Sequence, residues 1–239
     1  MLRVLRFFLT LVPVTVYYSI RQLLLDQDKA SLDEKDYFGK LYGRTMLRMA
    51  GIKVEADLSA LDPNGHYVFM CNHQSLFDIP ILFDVLWNYH MRFVAKQSLF
   101  RIPIYGKALG NAGHIPLNRE NRRAAMKSLD AAVGTAKGGI SPLIFPEGTR
   151  NPDLDKLMDF KVGAVVLALK CGLPVAPLVM EGSGKLLPKG SRFFNPDQLV
   201  RLKALPPVDT SAYTMKDRER FKDDMYALMN DAYQKLARS

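Results

Sequence analysis

Cysteine and tryptophan are scarce in this chain: its 239 residues include two cysteines and one tryptophan. Cys71 and Cys171 stand far apart, each in or beside an apolar stretch, and neither belongs to a C-x-x-C pair. That argues against a disulfide framework and fits a reducing compartment. The four histidines are scattered too, and with the two distant cysteines they show no ligand spacing, which argues against a zinc or other metal site. A nucleophile elbow is missing: Ser183 lies in EGSGK, where Glu181 and Lys185 fill the positions that G-x-S-x-G gives to glycine. Neither G-x-x-x-x-G-K-[ST] nor G-x-G-x-x-G occurs, so the two common glycine-loop nucleotide cradles are excluded. Negative charge is in the minority, with 24 acidic against 33 basic residues and a formal net charge of +9. The excess favours an anionic partner, which composition alone leaves as nucleic acid, a phospholipid surface or a phosphorylated substrate.

What is present is apolar bulk. The chain is 48% hydrophobic, enough for one α/β domain with a sizeable core plus an appendage. The appendage is the N-terminus, MLRVLRFFLTLVPVTVYYSIRQLLL. No charge falls between Arg6 and Arg21, and as a helix that stretch would span about 21 Å against about 30 Å of bilayer hydrocarbon. The favoured reading is a monotopic anchor in one leaflet, its arginines and aromatics at the headgroup boundary. A single span, a cleaved signal (though no A-x-A-like site follows) and a plain core helix are the rivals. The polar stretch DQDKASLDEKD reads as a turn, and YFGKLYGRTMLRMA as a second helix ending near Gly51. Residues 1–50 thus form a helical membrane-associated motif. Lys40, Arg44 and Arg48 make a basic stripe along its second helix, either a solvated face or a contact for anionic headgroups.

From Gly51 the pattern changes to short strands alternating with helices. Expected strands are 52–57, 67–72, 92–96, 114–117, 142–145, 174–180 and 199–204; expected helices are 78–90, 103–111, 120–137, 160–171 and 215–237. Several strands are apolar throughout, as in a sheet covered on both faces. The alternation predicts an α/β domain over 51–239 with a mixed, largely parallel sheet flanked by helices. Phe221, Met225, Leu228, Ala232 and Leu236 form the expected core-facing stripe of the last helix.

Four stretches could carry chemistry. In NHQSLFD, His73 and Asp78 lie about 140° apart on a straight helix and would not meet. They can meet if His73 stays in the loop after a strand and Asp78 opens the next helix, which the S-x-x-D of Ser75 and Asp78 permits. A carboxylate would then hold the imidazole in one tautomer and leave the other nitrogen free to take a proton. The competing reading is a helix cap beside a turn histidine. In FPEGTR, Gly148 allows close backbone approach and Arg150 offers a planar fork for phosphate, unless the stretch is a plain polar turn. In GHIPLNRENRR, arginines at a helix start oppose the dipole, which favours an anion near Arg119, unless the stretch is a plain basic surface, as Arg122 and Arg123 are read. Lys96 ends a strand in AKQSLFRIPIYG, and α/β sheets gather ligands beyond such ends.

Together these blocks resemble the glycerolipid acyltransferases. NHQSLFD matches the NHxxxxD signature and FPEGTR the EGTR block, GHIPLNR resembles the block between them, and LPVAPLVM the last, over roughly residues 50–205. KQSLFRIPIYG is similar to the segment that carries a phosphate-contacting lysine. The resemblance implies the glycerol-3-phosphate acyltransferase-like fold and transfer of an acyl chain from acyl-CoA or acyl-carrier protein to the sn-2 hydroxyl of lysophosphatidic acid. His73 would be the general base and Asp78 its orienting partner. Lys96, Arg119 and Arg150 would bind the phosphate, and Asn72, Glu147, Gly148 and Thr149 would shape the acceptor site. Neither cofactor, metal nor nucleic acid is implied. The partners would be a membrane leaflet and the two substrates, at the cytoplasmic face of a bacterial inner membrane, with the N-terminus monotopic or single-pass. Another acceptor, such as glycerol 3-phosphate, a different lysophospholipid or a lyso-aminolipid, is the alternative.

Overall fold

The computed structural model describes residues 2–118, 121–191 and 194–238. Helices α1 (Leu2–Leu23) and α2 (Leu32–Ala50) form an antiparallel hairpin: Gln22 bonds the Lys35 carbonyl at one end, while Thr15 meets the Tyr42 hydroxyl further along. The second helix starts earlier than its apolar spacing suggests. Ser31 caps it, its hydroxyl accepting from the Glu34 N–H while the Glu34 carboxylate accepts from the Ser31 N–H at 2.8 Å. The polar stretch expected as a turn therefore holds a capping box, which satisfies two orphan donors at once. Gly51 closes the helix with φ 66.

After the hairpin come β1 (Lys53–Asp57), β2 (Val68–Cys71), α3 (Asp78–Val85), β3 (Met91–Lys96), a 3-10 helix (Gln97–Arg101), α4 (Tyr105–Asn111) and β4 (Ile115–Leu117). The chain continues through α5 (Arg122–Lys137), β5 (Ser141–Ile144), α6 (Val162–Cys171), β6 (Val175–Glu181), α7 (Ser183–Leu186), β7 (Leu199–Ala204) and α8 (Arg218–Arg238). Among the described residues the strands make one sheet in the order β1-β7-β6-β2-β5-β3-β4. Only β6 and β7 pair antiparallel, so the sheet is mixed and largely parallel as expected.

Two expectations need correction. Helix α3 stops at Val85 rather than 90, although no glycine or proline marks the spot. Tertiary contacts end it: Tyr89 packs edge-on against Phe69 and donates to the Asp62 carbonyl, and His90 reaches Asp36. In α8 the core-facing stripe is Phe221, Met225, Met229 and Tyr233, while Leu228 is exposed.

Strand β2 sits mid-sheet and is fully buried, so its side chains serve both layers in alternation. Val68 and Met70 join the core under α5, α6 and α8, and Phe69 and Cys71 join the core under α1, α2 and α3. The hairpin belongs to that second core. Phe7, Met46, Leu47 and Ala50 are buried in one cluster with Phe69, Phe77 and Ile81, so no break in packing falls at residue 50.

The basic stripe of α2 is not a surface stripe. Lys40 is buried, its ammonium 3.5 Å from Asp36. Arg44 bonds Asp84 at 2.6 Å and lies over the Trp87 ring, which leaves Arg48 as the exposed member. Asp36 is the hub: its carboxylate also takes Arg92 Nη1 and meets His90 Nδ1 at 2.7 Å, tying α2 to the start of β3. Removing one partner of a buried charge cluster costs about 3–5 kcal/mol, because the remaining charges lose their compensation. Asp36→Ala should therefore lower the melting temperature by on the order of 10 °C in a thermal-shift assay. An unchanged melting curve would show that the hairpin is not held by this cluster.

Candidate active site

The parallel strands β2, β5, β3 and β4 all end on one edge of the sheet, and their loops carry most of the residues singled out in the sequence. His73 lies in the loop after β2, and Asp78 is the first residue of α3. His73 Nδ1 and Asp78 Oδ2 are 2.7 Å apart. The same oxygen accepts from the backbone N–H groups of Gln74 (2.7 Å) and Ser75 (2.9 Å). An oxygen that collects two N–H bonds requires a donor in its third contact, so Nδ1 carries the proton and Nε2 is left as an acceptor. Asp78 is completely buried, and the imidazole is 15% exposed, enough to leave an edge accessible. Ser75 completes only half of a capping box. Its N–H reaches Asp78, but its hydroxyl donates to the Leu187 carbonyl and accepts weakly from the Phe77 N–H.

The loop is clamped from both neighbouring strands. Asn72 is buried and spends its whole amide on Met180 of β6, donating to the carbonyl at 2.8 Å and accepting from the N–H at 2.7 Å. On the other side Glu147, 0% exposed, accepts from the His73 N–H (2.7 Å) and the Met158 N–H (2.9 Å). The His73 carbonyl in turn accepts from the Asn151 N–H at 2.6 Å. Phe145 stacks on the imidazole, with centroids 4.0 Å apart and planes 15° from parallel. From below, Gln74 bonds the Tyr233 hydroxyl of α8. Phe145, Asn151, Gln74 and Tyr233 escape sequence reasoning, because each matters only through a neighbour distant in the chain.

Comparison with known proteins adds an independent line. A family model described as Acyltransferase matches residues 52–181, more than half of the chain. The chain belongs to the acyltransferase family. It is 33% identical to the 1-acyl-sn-glycerol-3-phosphate acyltransferase of Salmonella typhimurium, over 77% of this chain and 73% of that protein. A chloroplastic 1-acyl-sn-glycerol-3-phosphate acyltransferase of Arabidopsis thaliana is 35% identical over 72% of this chain. The chain spans less than half the length of that relative (44%) and of similar proteins from Chlamydomonas reinhardtii (44%) and Brassica napus (35%). The crystal structure of the 1-acyl-sn-glycerophosphate (LPA) acyltransferase PlsC from Thermotoga maritima superposes with a TM-score of 0.82 at 25% identity. The superposition covers 98% of this chain and 95% of that one.

In this member of the acyltransferase family the rim is charged unevenly. Lys96 ends β3, exposed, and Arg150 is half-buried in the turn after β5; among the described residues neither side chain has an ion-pair partner. Across β6 the cations are compensated: Lys185 bonds Glu181 at 2.6 Å, and Arg201 lies 3.7 Å from the same buried carboxylate. Gly148 adopts φ 73 in the middle of the Glu147–Arg150 turn, and Thr149 is exposed beside it. Arg119 lies outside the described residues.

Burial pushes the Glu147 carboxyl up to about 7, with the Asp78 charge adding to the effect and the two N–H bonds opposing it. A raised folded-state value means that folding takes up a proton. The associated stability is present below about pH 4.5 and is lost as pH rises through about 7. Glu147→Gln cannot titrate, so its melting temperature should gain on that of the wild type between pH 5 and pH 8. Parallel melting curves across that range would mean that Glu147 ionises as it does in the unfolded chain.

Proposed function

We propose that this protein transfers an acyl chain from acyl-CoA or acyl-carrier protein to the sn-2 hydroxyl of lysophosphatidic acid, giving phosphatidic acid. The observation that carries the reading is an imidazole held by Asp78 and Phe145 on a sheet edge that also carries Lys96 and Arg150, neither of which has an ion-pair partner among the described residues. The relatives' names point to the same acceptor.

The hydroxyl proton passes to His73 Nε2 as its oxygen attacks the thioester carbonyl. The C–S bond then breaks, and the thiolate takes the proton from Nε2. Asp78 holds the ring in place and stabilises the transient imidazolium. Oxygen attacks the acyl group directly, so neither an acyl-enzyme nor a cofactor is called for. Lys96, Arg119 and Arg150 are assigned to the phosphate. Asn72 and Glu147 bond backbone N–H and C=O groups of the neighbouring loops and strand, so they shape the acceptor site by holding its loops. Gly148 and Thr149 form its wall.

The setting is the cytoplasmic face of a membrane, the inner one in a bacterium, with α1 lying in a single leaflet. Among the described residues no helix is long and apolar enough to cross a membrane. Yet Leu5, Leu9, Val12, Ile20 and Leu24 form an exposed apolar stripe at helical spacing, the inverse of a solvated surface helix.

Purified enzyme assayed in detergent against lysophosphatidic acid, glycerol 3-phosphate and lysophosphatidylcholine should prefer the first. Preference for either of the others would replace the acceptor. His73→Ala should lower kcat by roughly 10²–10⁴-fold in protein that stays folded at the assay temperature; near-normal turnover would remove His73 as the base.

Because α1 shares the core, deletion is a poor test of membrane contact. Leu9→Glu with Val12→Glu alters the outer face, where the two residues are 69% and 65% exposed. The double variant should leave the vesicle pellet in co-sedimentation with anionic liposomes; undiminished pelleting would shift the contact to another surface.

A further inference from the structure

Besides Lys96 and Arg150, a third cation on this rim has no counter-charge among the described residues, and it lies in none of the four sequence blocks. It is Lys161. Its backbone N–H donates to the Pro146 carbonyl at 2.7 Å, which fastens it to the turn after β5. The neighbouring Phe160 is buried, so the backbone at this point is anchored in the core. The side chain then lies over the middle of the turn. A Cβ added at Gly148 would sit 3.1 Å from Lys161 Cγ and 4.0 Å from Cε. Gly148 thus leaves the space that the lysine stem occupies, and the ammonium follows directly on Cε. The placement is electrostatically unfavourable by itself. Lys161 stands at the N-cap of α6, whose first turn contains no acidic residue, so the cation opposes the helix dipole without a carboxylate to offset it.

The geometry points to Lys161 as a phosphate-binding residue that acts with Arg150 across Gly148 on the acceptor's phosphate monoester. This rests on the acyl-transfer reading of the His73 site. In such an acceptor, bonds O–C, C–C, C–O and O–P separate the reacting oxygen from phosphorus, a reach of about 5 Å. Neighbouring strands are about 4.8 Å apart. His73 leaves β2, and the turn beneath Lys161 leaves β5, the adjacent strand. A hydroxyl at Nε2 can therefore reach the Gly148 turn with its phosphate. Lys96 stands one strand further away and reaches the same group only by extension.

Lys161→Met keeps the stem and removes the charge, and it breaks no capping bond, since the side chain makes none. It should raise KM for lysophosphatidic acid about tenfold or more, with the donor KM unchanged and the melting temperature level or slightly higher, since a charge opposing the dipole is gone; Lys161→Arg should restore most of the loss. A second arm uses inorganic phosphate against chloride at equal ionic strength. Phosphate should raise the melting temperature of the wild type and of Lys161→Arg, and much less that of Lys161→Met. An unchanged acceptor KM would overturn the assignment, and a rise confined to the donor KM would move Lys161 to the donor's anion. If the wild type were inert toward lysophosphatidic acid, the acyl-transfer reading would fail, and the phosphate arm would decide Lys161 by itself.

Discussion

One carboxylate oxygen, Asp78 Oδ2, determines the rest of the site. It gathers the imidazole and two loop N–H groups within 2.7–2.9 Å, so one atom fixes the ring, the loop and the start of α3. The orientation of the imidazole is therefore inherited from backbone. That backbone is in turn held by strands on either side, through Asn72 to β6 and through Glu147 to the turn after β5. Burial strengthens each of these bonds, since a water-free carboxylate without its donors would be costly. The price is paid at Glu147, whose carboxyl is pushed up to about 7 because it sits without exposure near a second acid.

The same reasoning explains how the net charge of +9 is distributed. Where cations serve the fold they are paired: Arg92 and Lys40 at Asp36, Arg44 at Asp84, Lys185 and Arg201 at Glu181. Among the described residues, the rim cations without an ion-pair partner, Lys96, Arg150 and Lys161, lie on the β5 and β3 side of His73. Uncompensated positive charge on one side of a cleft creates a potential that favours an anion there. The paired cations across β6 contribute little to that field, because Glu181 and Glu55, the latter 3.8 Å from Arg201, balance them locally.

Legibility in the sequence follows the range of the interaction. His73 and Asp78 were readable because the five-residue step between them limits how they can meet: loop first, helix second. The strands were readable because burial on both faces leaves continuous apolar runs. Asp36 and Lys40 form an i,i+4 pair that lay in plain view, yet their burial depends on Arg92 and His90, which belong to β3 and its approach. Phe145 reads as an ordinary end of strand until His73 stacks on it. Lys161 is the extreme case: its significance rests on a missing Cβ at Gly148, and no pattern of spacing encodes a gap that another side chain fills.

The hairpin shows why chain segments and physical units need not coincide. Phe7 of α1 packs edge-on against Phe194 and tilted against Phe77, the residue just before Asp78, and Phe77 and Phe194 also pack on each other. Gly43 of α2 sits so close to α3 that a Cβ there would lie 2.7 Å from the Phe83 Cβ and 2.8 Å from the Pro80 carbonyl oxygen. The helix that begins with Asp78 is thus seated on both members of the hairpin. An element whose outer face is apolar and exposed supports, through one layer of aromatic rings, the carboxylate that holds the imidazole. A displacement of α1 can reach Asp78 through Phe7 and Phe77, or through α2 and its close seat on α3, because close-packed interiors transmit displacement rather than absorb it. The surface helix and the His73–Asp78 pair are therefore one mechanical unit, whatever boundary the sequence pattern draws between them.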